Sequence, residues 1–217
     1  MKRFSIAIPA LGLWVAAAAG LALQINPQKL PAPFHTPSAN NRPQVITRPD
    51  GAQLTLPQGF HIEVYAEGFE RPRFMLLGPG REVLISDSIK NGAVYVLRDT
   101  DGDYRAESRE KLIDGLDRPY GLAFWKVYLY VAETTSLKRY KYDPKSRKAG
   151  PGEELVPMKE FSAGHWTRTV LFDREGRKMY LAVGSESNVA TGGDPRRAAI
   201  NRYNPDGTGH EIFASGT

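Results

Sequence analysis

The stretch GHWTRTVLFDREGRKMYLAVGSESN, residues 164–188, predicts two antiparallel strands joined by a turn. The apolar residues 170–172 lead into Asp-Arg-Glu-Gly, a composition typical of turns. In residues 179–183, Met, Leu and Val alternate with Tyr and Ala, which is the pattern of a half-buried strand. His165 and Arg168 precede the first strand, and polar side chains at the end of a rigid sheet often carry chemistry.

The same pattern occurs twice earlier in the chain. Residues 73–77, 120–124 and 168–172 align without gaps, and their starts lie 47 and then 48 residues apart. A period of this length, with about four short strands per repeat, is typical of propeller blades. An antiparallel sandwich with coincidental spacing is the alternative. We therefore predict an all-β fold with three blades. Three blades do not close a ring, so we expect the N-terminal half of a six-bladed propeller.

Two local patterns refine this prediction. In residues 60–65, Phe, Ile and Val alternate with His, Glu and Tyr, which predicts a strand before blade one. Asn91-Gly92 separates two apolar runs and is a strong signal for a hairpin turn inside blade one.

The chain before the repeats divides into two further segments. Residues 1–23 combine a short positive start with an uncharged run at residues 4–23, which predicts a signal peptide or an N-terminal membrane anchor. Residues 24–53 are rich in proline and poor in large apolar side chains, so we predict a linker. We expect the remaining domain, residues 54–217, to be exported and to be periplasmic or tethered to the membrane by residues 4–23.

Composition excludes several classes of site. The 217 residues contain no cysteine, so disulfides, thiolate metal sites and cysteine nucleophiles are absent. The net charge of +5 favours anionic partners in general. Basic residues do not form a stripe with interleaved aromatic residues, so we expect no nucleic-acid partner.

An acidic run follows the third predicted strand. Asp99, Asp101 and Asp103 alternate, and Glu110 completes the spacing of an EF-hand calcium loop. Tyr104 stands where that loop has glycine, and no flanking helices are predicted. The alternatives are a calcium site and a solvated loop between strands.

His165 is a candidate general base because the pKa of histidine lies near working pH. A histidine that only hydrogen-bonds backbone at a turn is the alternative.

Several stretches together resemble the soluble quinoprotein glucose/sorbosone dehydrogenase family, most closely its sorbosone-dehydrogenase-like branch. The matching stretches are LPQGFHIEVYAEGF (56–69), VLRDTDGDYRAE (96–107), LDRPYGLAFW (116–125), YLYVAET (128–134), GHWTRTVLF (164–172), VGSESNV (183–189), DPRRAAI (194–200) and NPDGTG (204–209).

The resemblance implies a six-bladed propeller that binds pyrroloquinoline quinone (PQQ) and calcium and oxidises a sugar or a sugar-derived aldehyde. The electron acceptor is not implied. By the same resemblance, His165 is the catalytic base and Arg168 lines the cofactor. The glucose-oxidising branch has an acidic residue before this histidine, where this chain has Gly164, so glucose is not implied. The family's later cofactor and calcium contacts lie beyond Thr217, so we expect the 217-residue chain to be inactive alone.

Two other functions fit a propeller. One is a calcium-dependent hydrolase of the lactonase type, to which Glu186 and Asn188 could contribute ligands. The other is a non-catalytic binding module.

Overall fold

The computed structural model describes residues 26–32, 35, 41, 43–188 and 192–216. The chain forms two compact units, Met1–Pro37 and Ser38–Thr217. The first contains a short 3-10 helix, Pro27–Lys29, which Asn26 caps by accepting a hydrogen bond from the backbone of Gln28. The predicted signal or anchor at residues 1–23 lies outside the described residues. No helix in the described part of the chain is both long and apolar enough to cross a membrane.

The second unit contains three four-stranded antiparallel sheets in which sequential strands are neighbours. This confirms the all-β propeller fold and its three blades. Blade one contains β1 (Pro72–Leu77), β2 (Val83–Asp87), β3 (Lys90–Arg98) and β4 (Ser108–Asp117). Blade two contains β5 (Leu122–Trp125), β6 (Tyr128–Ala132), β7 (Ser136–Asp143) and β8 (Lys148–Pro157). Blade three contains β9 (Arg168–Phe172), β10 (Met179–Val183), β11 (Ala199–Tyr203) and β12 (Glu211–Ser215). A second 3-10 helix, Lys159–Phe161, precedes blade three.

Strand β10 shows why these residues form a blade. Met179, Leu181 and Val183 are buried, whereas Tyr180 and Ala182 are half-buried on the other face. This is the alternation that the sequence predicted, and it fixes the register because a slip of one residue would turn the apolar side chains outward.

The core lies between consecutive blades. One cluster joins side chains of blade one, such as Leu84 and Val94, to Leu129 and Tyr140 of blade two. A second cluster joins blade two to blade three and is formed by Tyr130, Ala132, Leu137, Val156, Met158, Phe161, Val170, Met179, Leu181, Val183 and Tyr203. Each blade is therefore stabilised mainly by burial against its neighbour.

The first strands of blades two and three approach closely at Gly121. The Gly121 amide donates to the carbonyl of Arg168 at 2.9 Å. A Cβ atom at residue 121 would lie 2.7 Å from the Cα atom of Thr169, so this contact requires glycine.

Two local predictions are corrected. Residues 60–65, all of which the structure describes, form no strand, and Phe60, Ile62 and Val64 are exposed. Within the described part of the chain no strand pairs with their backbone, and alternation alone does not supply one. The turn at Asn91-Gly92 is longer than a two-residue hairpin. β2 and β3 first pair at Asp87 and Ala93, and the start of β3, at Lys90 and Gly92, pairs with β4 instead.

Candidate functional site

The start of β9 lies at one end of the three blades, together with the connections that precede β1 and β5. In a meander of antiparallel strands, the connection between the second and third strands lies at this end too. We call it the His165 end. Its connections in blades two and three contain the described residues 118–121, 133–135, 158–167, 184–188 and 192–198.

The His165 side chain is exposed, and one of its two ring nitrogens is hydrogen-bonded. Its Nδ1 atom lies 2.6 Å from Oγ of Ser185, and the Ser185 hydroxyl donates to the carbonyl of Ser187 at 2.9 Å. The His165 amide also donates to the Ser185 carbonyl at 3.0 Å. Nε2 has no hydrogen-bond partner among the residues that the structure describes. The geometry therefore leaves Nε2 accessible for proton transfer.

Gly164 permits the backbone turn that presents this histidine. Its φ angle is +75°, in the left-handed region. A Cβ atom at this position would overlap the carbonyl oxygen of Glu186. Both the backbone angle and the close approach therefore require glycine.

Arg168 is the residue that the resemblance assigns to the cofactor lining, and the structure places it below the surface. Its side chain is fully buried, and its guanidinium donates to the carbonyls of His165, Thr167 and Phe161 at 2.9, 2.9 and 3.3 Å. Its Nε atom is buried without a partner among the described residues. Burial, and then the charge of Arg197, lowers the pKa of Arg168 to about 10. Arg168 thus lies beneath the His165 loop, residues 158–167, and its assignment to the cofactor lining stays a prediction.

Arg197 is a residue of the candidate site that the sequence analysis missed. It is 7% exposed and donates to the carbonyls of Phe161 at 2.8 Å, Ser185 at 2.6 Å and His165 at 3.3 Å. Arg168 and Arg197 therefore share two acceptors and fix the backbones of residues 165 and 185 together. The paired arginines in DPRRAAI were the available signal.

A buried carboxylate connects the same end of blade two to its neighbours. Glu133 accepts hydrogen bonds from the Asp117 amide at 2.7 Å and the Ser136 hydroxyl at 3.1 Å, and Lys138 Nζ lies 2.6 Å away. The Thr134 hydroxyl donates to the Trp166 carbonyl at 3.2 Å. The Thr134 contact ties the His165 loop to blade two, and the contact of Glu133 with Asp117 ties blade two to blade one.

Cations are also accessible at this end. Arg71, Arg73 and Arg118 lie beside the starts of β1 and β5 and are exposed or partly exposed. Arg118 Nε lies 3.5 Å from Asp117 Oδ1. Guanidinium groups pair well with carboxylates. Three side chains of the type that pairs with carboxylates are therefore available at the His165 end.

The acidic loop lies at the opposite end, between β3 and β4. Asp99, Asp101, Asp103 and Glu107 place one carboxylate oxygen each within 4.8 Å of one another. These carboxylates also accept hydrogen bonds from loop amides, such as that of Gly102 to Asp99 at 2.6 Å. The structure thus brings three of the four predicted ligands together.

Glu110 lies outside this group. It is on β4, and its Oε1 atom lies 3.4 Å from Nη2 of Arg98. Glu107 takes its place in the loop and accepts from the Thr100 amide at 2.7 Å. Tyr104, where an EF-hand loop has glycine, adopts a φ angle of 67°, and its amide donates to Asp99 at 3.0 Å. The backbone therefore turns as it would with glycine.

Comparison with solved structures finds similar folds at low sequence identity. A Trichoderma reesei carbohydrate-active enzyme of family AA12 matches with a TM-score of 0.54 and 19% identity over 65% of this chain and 38% of that chain. The PQQ domain of a Coprinopsis cinerea pyranose dehydrogenase matches at 0.57 and 21% over 65% and 35%. A PQQ-bound aldose sugar dehydrogenase from Streptomyces coelicolor matches at 0.50 and 17% over 67% and 48%. This chain thus spans less than half the length of each.

A search of curated proteins finds no match. A family model described as TrAA12-like matches residues 54–208, which is most of the chain and includes all of blades one and two. The chain therefore belongs to the TrAA12-like family.

Proposed function

We propose that this chain is part of a PQQ-dependent dehydrogenase that oxidises a sugar, with His165 as the general base. Its family and the names of its structural neighbours, a pyranose dehydrogenase and an aldose sugar dehydrogenase, support the reaction class. Sorbosone or a related sugar-derived aldehyde is the narrower substrate that the sequence resemblance favours.

The observation that carries the proposal is the environment of His165. Its ring is exposed at one end of the blades, one nitrogen is occupied by Ser185, and the other can accept a proton from a substrate hydroxyl. When bound, PQQ supplies the two-electron acceptor for this oxidation. Arg71, Arg73 and Arg118 are the accessible cations that would hold its carboxylates.

The proposal is tested by dye-linked oxidation of aldoses with PQQ and calcium. The 217-residue chain alone should give no turnover, because three blades leave one side of the site open and do not position the reactants. A form completed with three further blades of a TrAA12-like relative should be active. In that form, His165→Ala should lower kcat by about 10²–10⁴-fold.

His61→Ala is the matched control, since His61 is exposed in the segment before blade one. It should leave the rate unchanged. An active His165→Ala variant would overturn the assignment of the base. Lactone hydrolysis without quinone would instead support the hydrolase alternative, and partner binding without turnover would support the binding module.

Calcium is the ion that we propose for the loop of Asp99, Asp101, Asp103 and Glu107. Carboxylate oxygens are the ligands that this ion prefers, and four of them already lie close together. The loop lies at the opposite end from His165, so its calcium would stabilise the fold rather than touch the substrate.

We also propose that the protein acts outside the cytoplasm. The support is the uncharged run at residues 4–23. A periplasmic reporter enzyme fused after residue 53 should be active, and an inactive fusion would contradict export.

A further inference from the structure

Ser185 lies between His165 and a backbone carbonyl. Its hydroxyl donates to the carbonyl of Ser187 at 2.9 Å, and its oxygen lies 2.6 Å from Nδ1 of His165. A hydroxyl has one hydrogen and two lone pairs, whereas a carbonyl only accepts. If the hydrogen is directed at Ser187, the Ser185 oxygen must accept from the imidazole.

The buried arginines set the distance between the two side chains. Arg197 donates to the carbonyls of both His165 and Ser185, and Arg168 donates to that of His165. The His165 amide donates to the Ser185 carbonyl as well. The backbones that carry the Nδ1 and Oγ atoms are therefore held close together by hydrogen bonds from two buried guanidinium groups.

We propose that Ser185 is a positioning residue that holds neutral His165 as the tautomer protonated on Nδ1. The proton acceptor is then Nε2, the exposed nitrogen. The importance of this tautomer for catalysis rests on the proposed function, because only a general base needs its lone pair at a defined atom. The tautomer itself is a property of this chain alone.

The inference has a direct measurement that needs neither cofactor nor substrate. Histidine labelled with ¹⁵N in the 217-residue chain should give, for neutral His165, a protonated-type signal at Nδ1 and an unprotonated-type signal at Nε2. Magic-angle-spinning NMR reads this even if the chain self-associates. His165→Ala identifies the signal among the four histidines.

Ser185→Ala should remove the preference, so that His165 shifts toward the Nε2-protonated form that free histidine favours in water. Ser185→Thr should restore it, because threonine keeps the hydroxyl. Ser162→Ala is the matched control and should leave the tautomer unchanged, since the Ser162 hydroxyl donates to the carbonyl of Lys159 at 2.8 Å. The signal of His210, whose ring bonds Asn201 at 2.8 Å, reports whether blade three is folded in each variant.

An Nε2-protonated ring in the unmodified chain would overturn the inference. So would an unchanged tautomer in Ser185→Ala with the His210 signal intact. Full activity of His165→Ala in the completed propeller would overturn the proposed function but not the tautomer, so the two failures are distinguishable.

Discussion

At the scale of single residues, the depth of burial determines which groups each arginine side chain contacts. The family resemblance assigned Arg168 to the cofactor lining, and the structure shows its guanidinium bound to backbone carbonyls. It lies beneath the loop with Arg197, and both bind backbone carbonyls. Two buried cations require such acceptors, because an unpaired buried charge is strongly destabilising. Sequence placed Arg168 within three residues of the histidine, but it contained no information on depth.

Arg196, which precedes Arg197 in the sequence, is partly exposed. Arg196 binds Asp194 through two nitrogens at 2.5 and 2.8 Å, and its guanidinium lies 3.8 Å from the centre of the Phe161 ring. The Phe161 carbonyl accepts from both buried arginines. The side-chain hydrogen bonds of Arg196 lower the pKa of Asp194 to about 2.

This shift predicts how stability depends on pH. A carboxylate with a lowered pKa stabilises the fold above its unfolded pKa and loses this effect as pH falls through the folded value. Asp194→Asn should lower the free energy of unfolding by about 0.5–1 kcal/mol at neutral pH, since the pair is partly exposed. The difference from the unmodified chain should shrink between about pH 4 and pH 2.

Urea unfolding followed by tryptophan fluorescence at low protein concentration measures this difference. Asp114→Asn is the control, because Asp114 is exposed and lies 4.0 Å from Lys111. If the free energy of unfolding of Asp194→Asn differs from that of the unmodified chain by a constant amount down to pH 2, the ion pair is ruled out as the source of the difference.

At the scale of elements, the strands were predicted better than the connections. The alternation in β10 depends only on which side chains face the core, and sequence contains that pattern. Residues 60–65 have the same alternation but form no strand in the described structure, because a strand also needs a partner. Glu110 was chosen by counting residues, whereas the loop turns back at Tyr104 and brings Glu107 to the aspartates.

The acidic loop yields a prediction that separates these two glutamates. If the loop binds calcium, the ion should raise the melting temperature, because it binds the folded state preferentially. Asp101→Ala should abolish the rise. Glu107→Ala should reduce it strongly, and Glu110→Ala should leave it intact because that side chain pairs with Arg98.

Differential scanning fluorimetry with calcium, and with magnesium for comparison, measures these shifts. An unchanged melting temperature in millimolar calcium would return the loop to a solvated connection between strands. Loss of the shift in Glu110→Ala alone would favour the ligand set taken from the spacing.

At the scale of the whole molecule, the repeat of 47 and 48 residues predicted the three blades correctly. Faces between consecutive blades are buried, but β1 of blade one leaves Met75 and Leu77 at 69% and 67% exposed. Leu171 and Phe213 of blade three are also more than half exposed. Exposed apolar faces of this kind favour association.

We therefore predict that residues 54–217, purified alone, form heterogeneous assemblies. The double variant Met75→Lys and Leu77→Lys should lower the mean assembly size, because it places two charges on one open face. Val127→Lys should not, since Val127 is also more than half exposed but lies in the turn between β5 and β6. Sedimentation velocity measures the distribution, and a single monomeric species from the unmodified segment would contradict the prediction.

Gly164 restricts which residues can precede the histidine. Any side chain there would have to adopt a left-handed backbone and would collide with the Glu186 carbonyl. An acidic residue before the histidine, as in the glucose-oxidising branch that the sequence resembles, is thus not accessible by one point mutation. A side chain at position 164 would therefore require the backbone near Glu186 to move as well, so the connection before β9 and the connection after β10 would have to change together.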